Sequence, residues 1–84
     1  MKLVIASTYA QAELAMYELR VPRNEWRLVR DPSDLHGVTA DNVVIVSPYT
    51  DGRWTLDNRK RWDAVRRVEY FEQRDNVRAT RVRT

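Results

Sequence analysis

The chain has no cysteine and one histidine, His36, among its 84 residues. Without thiols there are no disulfides, thiolate zinc sites, iron–sulfur clusters or cysteine nucleophiles. A single imidazole rules out a multi-histidine metal centre. Glycine is nearly as scarce, with two residues, Gly37 and Gly52. Neither follows the first apolar run, so both the G-x-x-x-x-G-K-[ST] phosphate loop and the G-x-G-x-x-G fingerprint are missing. An ordinary nucleotide hydrolase is therefore not expected, and neither a cofactor nor a metal is implied. No apolar run approaches the roughly 20 residues that span a bilayer. The stretch Met1–Ala6 is too short for a secretory signal, so a cytoplasmic protein away from membranes is expected.

The composition is that of a folded domain. Apolar residues make up 43% and charged residues 32%, which suits one small globular unit with a thin core. Net charge is +3, unevenly spread. Residues 1–52 hold five Lys/Arg against seven Asp/Glu, and residues 53–84 hold ten against five. A basic C-terminal half attracts nucleic acid or an acidic protein surface, although ordinary solubility also accounts for a charge of this size. Thirteen of the fifteen basic residues are arginine. Arginine's planar fork suits phosphate and carboxylate, but the arginines are scattered, as codon usage in a GC-rich genome would leave them.

Lys2–Ser7 is a short β-branched run without polar alternation, the pattern of a strand covered on both faces. Thr8 and Gln11 then form a capping-box pattern, and a helix of about three turns follows. Its Ala12, Ala15, Met16 and Leu19 share one face, and Val21-Pro22 ends it. Trp26–Arg30 is a second strand nearer an edge, with Trp26 expected in the core. Asp31-Pro32-Ser33-Asp34-Leu35-His36-Gly37 spells a one-turn helix: Asp31 caps, Pro32 takes the first position and Gly37 supplies the stop. Val43–Ser47 is the most apolar segment and is expected to be central.

A loop with turn chemistry at Asp51-Gly52 precedes the longest helix, about Leu56 to Asp75. Trp54 is placed to staple the start of that helix. Ala64, Val65, Val68 and Phe71 form its inner stripe, while Trp62 and Tyr70 fall off the stripe centre. The basic tail, 76–84, is either a final edge strand or a frayed end. Right-handed crossovers put the first strand between the second and third. The expected fold is thus a three-layer α/β domain over 1–75. Its mostly parallel sheet has three or four strands in order 2-1-3, with helices on both faces.

Two places are candidates for function. In such a sheet ligands bind beyond the carboxyl ends of the strands, where the order reverses. That locus holds Ser7 and Thr8 after the first strand and Ser47, Tyr49 and Asp51 after the third. Ser7 and Thr8 also serve as helix-capping groups. The second place is the basic stretch of the long helix: Arg53, Arg59, Lys60, Arg66 and Arg67, with Trp62 among them. Basic groups interleaved with aromatics suit phosphate contacts with base stacking, or a protein contact. The competing reading is a solvated face with internal pairs, for which Asp63–Arg67 and Arg66–Glu69 have the right spacing. Trp62 would mark a protein contact or a homodimer face, or else pack in the core at the sheet edge. His36 is a turn residue, Asp31 and Asp34 are capping groups, and no catalytic constellation is present.

The wording Ile5-Ala6-Ser7-Thr8-Tyr9-Ala10-Gln11-Ala12, then Glu25-Trp26-Arg27, then Asp31–Gly37 resembles small uncharacterised proteins of actinobacteriophages. The resemblance covers roughly the first half of the chain and implies an accessory role in an infected host cell. The half-sheet also resembles the first half of a Rossmann-like or P-loop nucleotide domain without its phosphate loop. The leading expectation is a non-enzymatic protein that binds a host or phage protein, or nucleic acid, through the basic long helix. The alternative is a small-ligand or nucleotide-binding domain at the carboxyl ends of the first and third strands.

Overall fold

A computed structural model describes residues 1–50 and 56–84. Four strands form one sheet: β1 (Lys2–Ile5), β2 (Trp26–Leu28), β3 (Val43–Ser47) and β4 (Thr80–Arg83), in the order β2-β1-β3-β4. Every neighbouring pair is parallel, with Lys2 opposite Trp26, Leu3 opposite Val43 and Val44 opposite Thr80. The expected order 2-1-3 holds, and the tail adds the fourth strand. Asp51, Gly52, Arg53 and Trp54 lie outside the described residues, and with them the expected turn, the helix staple and two candidate site residues.

Two α-helices cover opposite faces. Alternation along β1 and β3 decides which side chain faces which helix. Val4, Ala6, Val44 and Val46 point to α1 (Tyr9–Glu18), where Ala12, Ala15 and Met16 meet them. Small alanines let this helix lie close to the sheet. Leu3, Ile5 and Val43 point to α2 (Asn58–Asp75), where Ala64 and Val68 are fully buried and Val65 and Phe71 pack at the margin. Leu35 and Ala40, from two short 3₁₀ turns, complete that second cluster. The result is a three-layer α/β sandwich of Rossmann-like character.

The helix ends follow local chemistry. The Thr8 hydroxyl caps α1 by accepting from the Gln11 N–H at 3.1 Å. At the far end, Val21 N–H donates to Met16 O and Arg20 N–H to Tyr17 O, each at 3.0 Å. This is a Schellman ending, with Arg20 at φ 59° where glycine is usual. The chain thus leaves the helix before Pro22 can act, and Leu19, placed on the buried face by periodicity, is 39% exposed. The Pro32–Leu35 turn has the full reciprocal capping box: Asp31 accepts from Ser33 N–H at 3.0 Å and Asp34 from Asp31 N–H at 3.2 Å. The Ser33 hydrogen bond holds the Asp31 carboxyl below its ordinary value, aided by Lys60. Gly37 follows at φ 73°, the left-handed conformation its place requires. β2 stops at Leu28, two residues short of the expected end, because Asp34 takes the Arg30 N–H at 2.9 Å as the chain turns into this cap.

Candidate functional site: the outer face of helix α2

The carboxyl edge of the sheet does bring Ser7, Thr8, Ser47 and Tyr49 together, and the polar groups there bind one another. Gln11 is the clasp. Its Oε1 accepts from Ser7 N–H at 3.0 Å, and its Nε2 donates to Pro48 O at 2.9 Å and to Thr84 Oγ1 at 3.1 Å. Ser7, 3% exposed, accepts from Thr50 N–H at 2.6 Å through its hydroxyl. The Ser47 hydroxyl donates weakly to Val82 O at 3.4 Å, and the Tyr49 hydroxyl donates to Leu56 O. Thr84 N–H closes the edge by donating to Ser47 O at 2.9 Å. The side chain of Gln11 carries this arrangement, and its only sequence signal was the capping box. In place of the Thr8 N–H that a capping box predicts, it takes the Ser7 N–H.

The outer face of α2 is organised differently. Trp62, Arg66, Tyr70 and Arg74 recur every four residues, so they stand in one row on the helix surface. The Arg66 guanidinium lies 4.5 Å from the centre of the Trp62 ring. The Arg74 guanidinium lies 5.9 Å from Tyr70 and 4.9 Å from Phe71. Trp62 is 54% exposed and Tyr70 62%. Each stacked cation contributes about 0.5–1 kcal/mol at an exposed site and holds its aromatic partner upright. The four side chains form a ridge in sequence register, and Trp62, Arg66 and Tyr70 border, with Asp63, Arg67 and Phe71, a shallow hollow of about 560 Å³.

The charges on α2 divide into committed and uncommitted groups. Lys60 pairs with Asp31 at 3.4 Å, both about half exposed, and so belongs to the Pro32–Leu35 turn and not to the ridge. Arg74 makes a two-point pair with Asp75, both bonds at 2.8 Å. Arg81 on β4 makes a two-point pair with Glu72, both bonds at 2.9 Å, and Glu72 also accepts from Ala79 N–H at 2.9 Å. The Arg81 hydrogen bonds, joined by the Ala79 N–H, lower the Glu72 carboxyl from 4.5 to about 2. Among the described residues, Arg59, Arg66 and Arg67 make no ion pair. The pairs anticipated from spacing, Asp63–Arg67 and Arg66–Glu69, do not form. Arg66 turns to Trp62 instead, and Arg67 reaches Pro32 O at 3.4 Å.

The sequence singled out Trp62, Arg59, Arg66 and Arg67 on this face but passed over Tyr70 and Arg74 as site residues. Their signal was the four-residue repeat of aromatic and arginine. Among the described residues no group of three His, Asp or Glu side chains is placed to hold a metal ion, and no helix is long and apolar enough to cross a membrane. No protein-family model, no curated protein and no solved structure matches the chain.

Proposed function

We propose that this protein is a binding module without a catalytic step, and that it holds a protein partner through the Trp62–Arg66–Tyr70–Arg74 ridge of α2. The observation that carries the reading is the exposure of two large aromatics on a helix whose other face is fully used by the core. Trp, Tyr and Arg are the side chains that dominate binding energy at protein interfaces. Stacking also fixes their rotamers beforehand, which reduces the ordering cost on association. A row of side chains at four-residue spacing is moreover the ridge that helices use to pack into one another's grooves.

A protein fits this face better than nucleic acid. Asp63, Glu69, Glu72 and Asp75 interrupt the basic residues of α2, and a polyphosphate gains least from an interleaved surface. The internal bonds of Ser7, Ser47 and Tyr49 favour this reading over the small-ligand alternative. The actinobacteriophage resemblance supports an accessory role in the cytoplasm of an infected cell.

The test is a photo-crosslinking amino acid at position 70, irradiated in an extract of the source cells. A discrete protein adduct is expected, competed by excess unlabelled wild type. The Trp62→Ala protein should compete at least tenfold less well. In parallel, labelled single- and double-stranded DNA and RNA are titrated by fluorescence anisotropy at low and physiological salt. Binding that falls steeply with salt and is lost in the Arg59, Arg66 and Arg67 alanine variant would transfer the site to nucleic acid. No adduct and no nucleic-acid binding would overturn the reading.

A further inference from the structure

Resting on the α2 reading above, we propose that the partner on the ridge is a second copy of this chain, received in the groove beside α1, so that copies join head to tail.

Apart from Met1, the exposed large hydrophobics among the described residues belong to the two helices and their ends. Tyr9, Leu14, Tyr17 and Leu19 are on α1 and its ends, and Trp62 and Tyr70 are on α2. Leu14 is 51% exposed and Tyr17 81%. They stand on the outer side of α1, away from the buried Ala12, Ala15 and Met16. With Val21 and Trp26 they line a groove of about 460 Å³ between α1 and the β2 edge. That is within the size range that accepts a ligand group, roughly 300–1,000 Å³. The groove is mainly apolar, whereas the α2 face is aromatic and bears arginine.

The charges are complementary as well. α1 carries Glu13 and Glu18 and no Lys or Arg. The ridge on α2 carries Arg66, flanked by Arg67, with neither in an ion pair among the described residues. Glu13 lines the groove, and on the ridge Arg66 and Arg67 outnumber Asp63 beside them. Arg23, the one cation among the described residues of the groove wall, is already drawn inward. Its guanidinium lies 4.4 Å from the Trp26 ring and donates to Trp26 O at 2.9 Å and to the Tyr9 hydroxyl. The groove thus offers apolar walls and a carboxylate, and the ridge offers aromatic rings and arginines.

Topology excludes the intramolecular solution. α1 and α2 cover opposite faces of the sheet, so the groove and ridge of one copy point away from each other. A contact between two different surfaces is heterologous: it leaves a free ridge at one end and a free groove at the other, and it propagates. The self-associated form is therefore a stack of sandwiches, or a ring, and not a symmetric dimer.

Sedimentation velocity of the purified protein, from micromolar to millimolar, reads this directly. Wild type should gain mass with concentration beyond the dimer. Tyr17→Glu removes the groove and Trp62→Glu removes the ridge. Both sites are exposed, and far-UV circular dichroism confirms that each variant is folded. Each variant alone should be monomeric. Their equimolar mixture should form a heterodimer that grows no further, because it joins one intact ridge to one intact groove. Monomeric wild type throughout, a Tyr17→Glu protein that still dimerises, or a mixture that stays monomeric overturns the head-to-tail contact. In any of those cases an adduct to a different protein from position 70 leaves the α2 reading standing. Failure of both experiments removes both.

Discussion

The carboxyl edge of the sheet and the outer face of α2 are equally rich in polar side chains, but those side chains are used in opposite ways. At the edge, Gln11 joins Ser7, Pro48 and Thr84, and Ser7 in turn holds Thr50. On α2, Arg66 and Trp62 hold each other and face water. A parallel sheet directs attention to its carboxyl edge, because loops there normally leave groups for a ligand. In a chain of this size the same groups are needed to close the fold. The thin core of a small domain leaves little surplus stability. On the function proposed above, the surface left for a partner is a helix face that the topology alone does not single out.

The largest effect is expected at Gln11. Gln11→Ala removes three hydrogen bonds, one of them from the N–H of buried Ser7. It is expected to lower unfolding free energy by about 2–3 kcal/mol, measured by urea denaturation. A cost under about 0.5 kcal/mol, the usual size for an uninvolved surface residue, would return the edge to the list of ligand sites.

Glu72→Gln comes next, at about 1–2 kcal/mol near neutral pH, because it exchanges a two-point charged pair for neutral contacts. The sign of its pH dependence follows from the lowered carboxyl. Glu72 titrates near 2 when folded against 4.5 ordinarily, so the unfolded chain takes up its proton first as the medium is acidified. The stability it contributes is complete above about pH 4.5 and is lost as pH falls towards 2. The gap between wild type and Glu72→Gln should close over that window in acid denaturation. A gap independent of pH would mean that Glu72 acts by packing alone.

The smallest effect sharpens the contrast. Trp62→Ala and Tyr70→Ala should each cost no more than about 1 kcal/mol, the size of the stacked-cation contact, although each removes a large aromatic. A loss of several kcal/mol, of the kind seen for buried aromatics, would make the ridge part of the core.

Much of this fold was legible in the sequence. Apolar runs rich in β-branched residues at Leu3–Ile5 and Val43–Val46 announced covered parallel strands. Asp31, Pro32 and Gly37 specified their turn almost atom by atom, because capping depends on neighbours in sequence. β4 was only half legible. Thr80–Arg83 alternates Thr80 and Val82 with two arginines, and what makes it a strand is the open edge of β3, together with Glu72 waiting for Arg81. The clasp at Gln11 was hidden for the same reason, since its partners Pro48 and Thr84 lie far along the chain. On α2 the inner stripe was legible from its period. The ridge was legible only in part, because counting charges separates Arg66 from Trp62 when the meaningful unit is the pair.

The all-parallel sheet has a kinetic consequence. No two neighbouring strands are joined by a hairpin: β1 must find β2 across α1, Leu3 must find Val43, and β3 must find β4 across all of α2. Each pairing closes a long loop before any strand contact compensates for it. Refolding should therefore be slower than that of a helical bundle of equal length. While it proceeds, the apolar faces of β1 and β3 stay open to other chains.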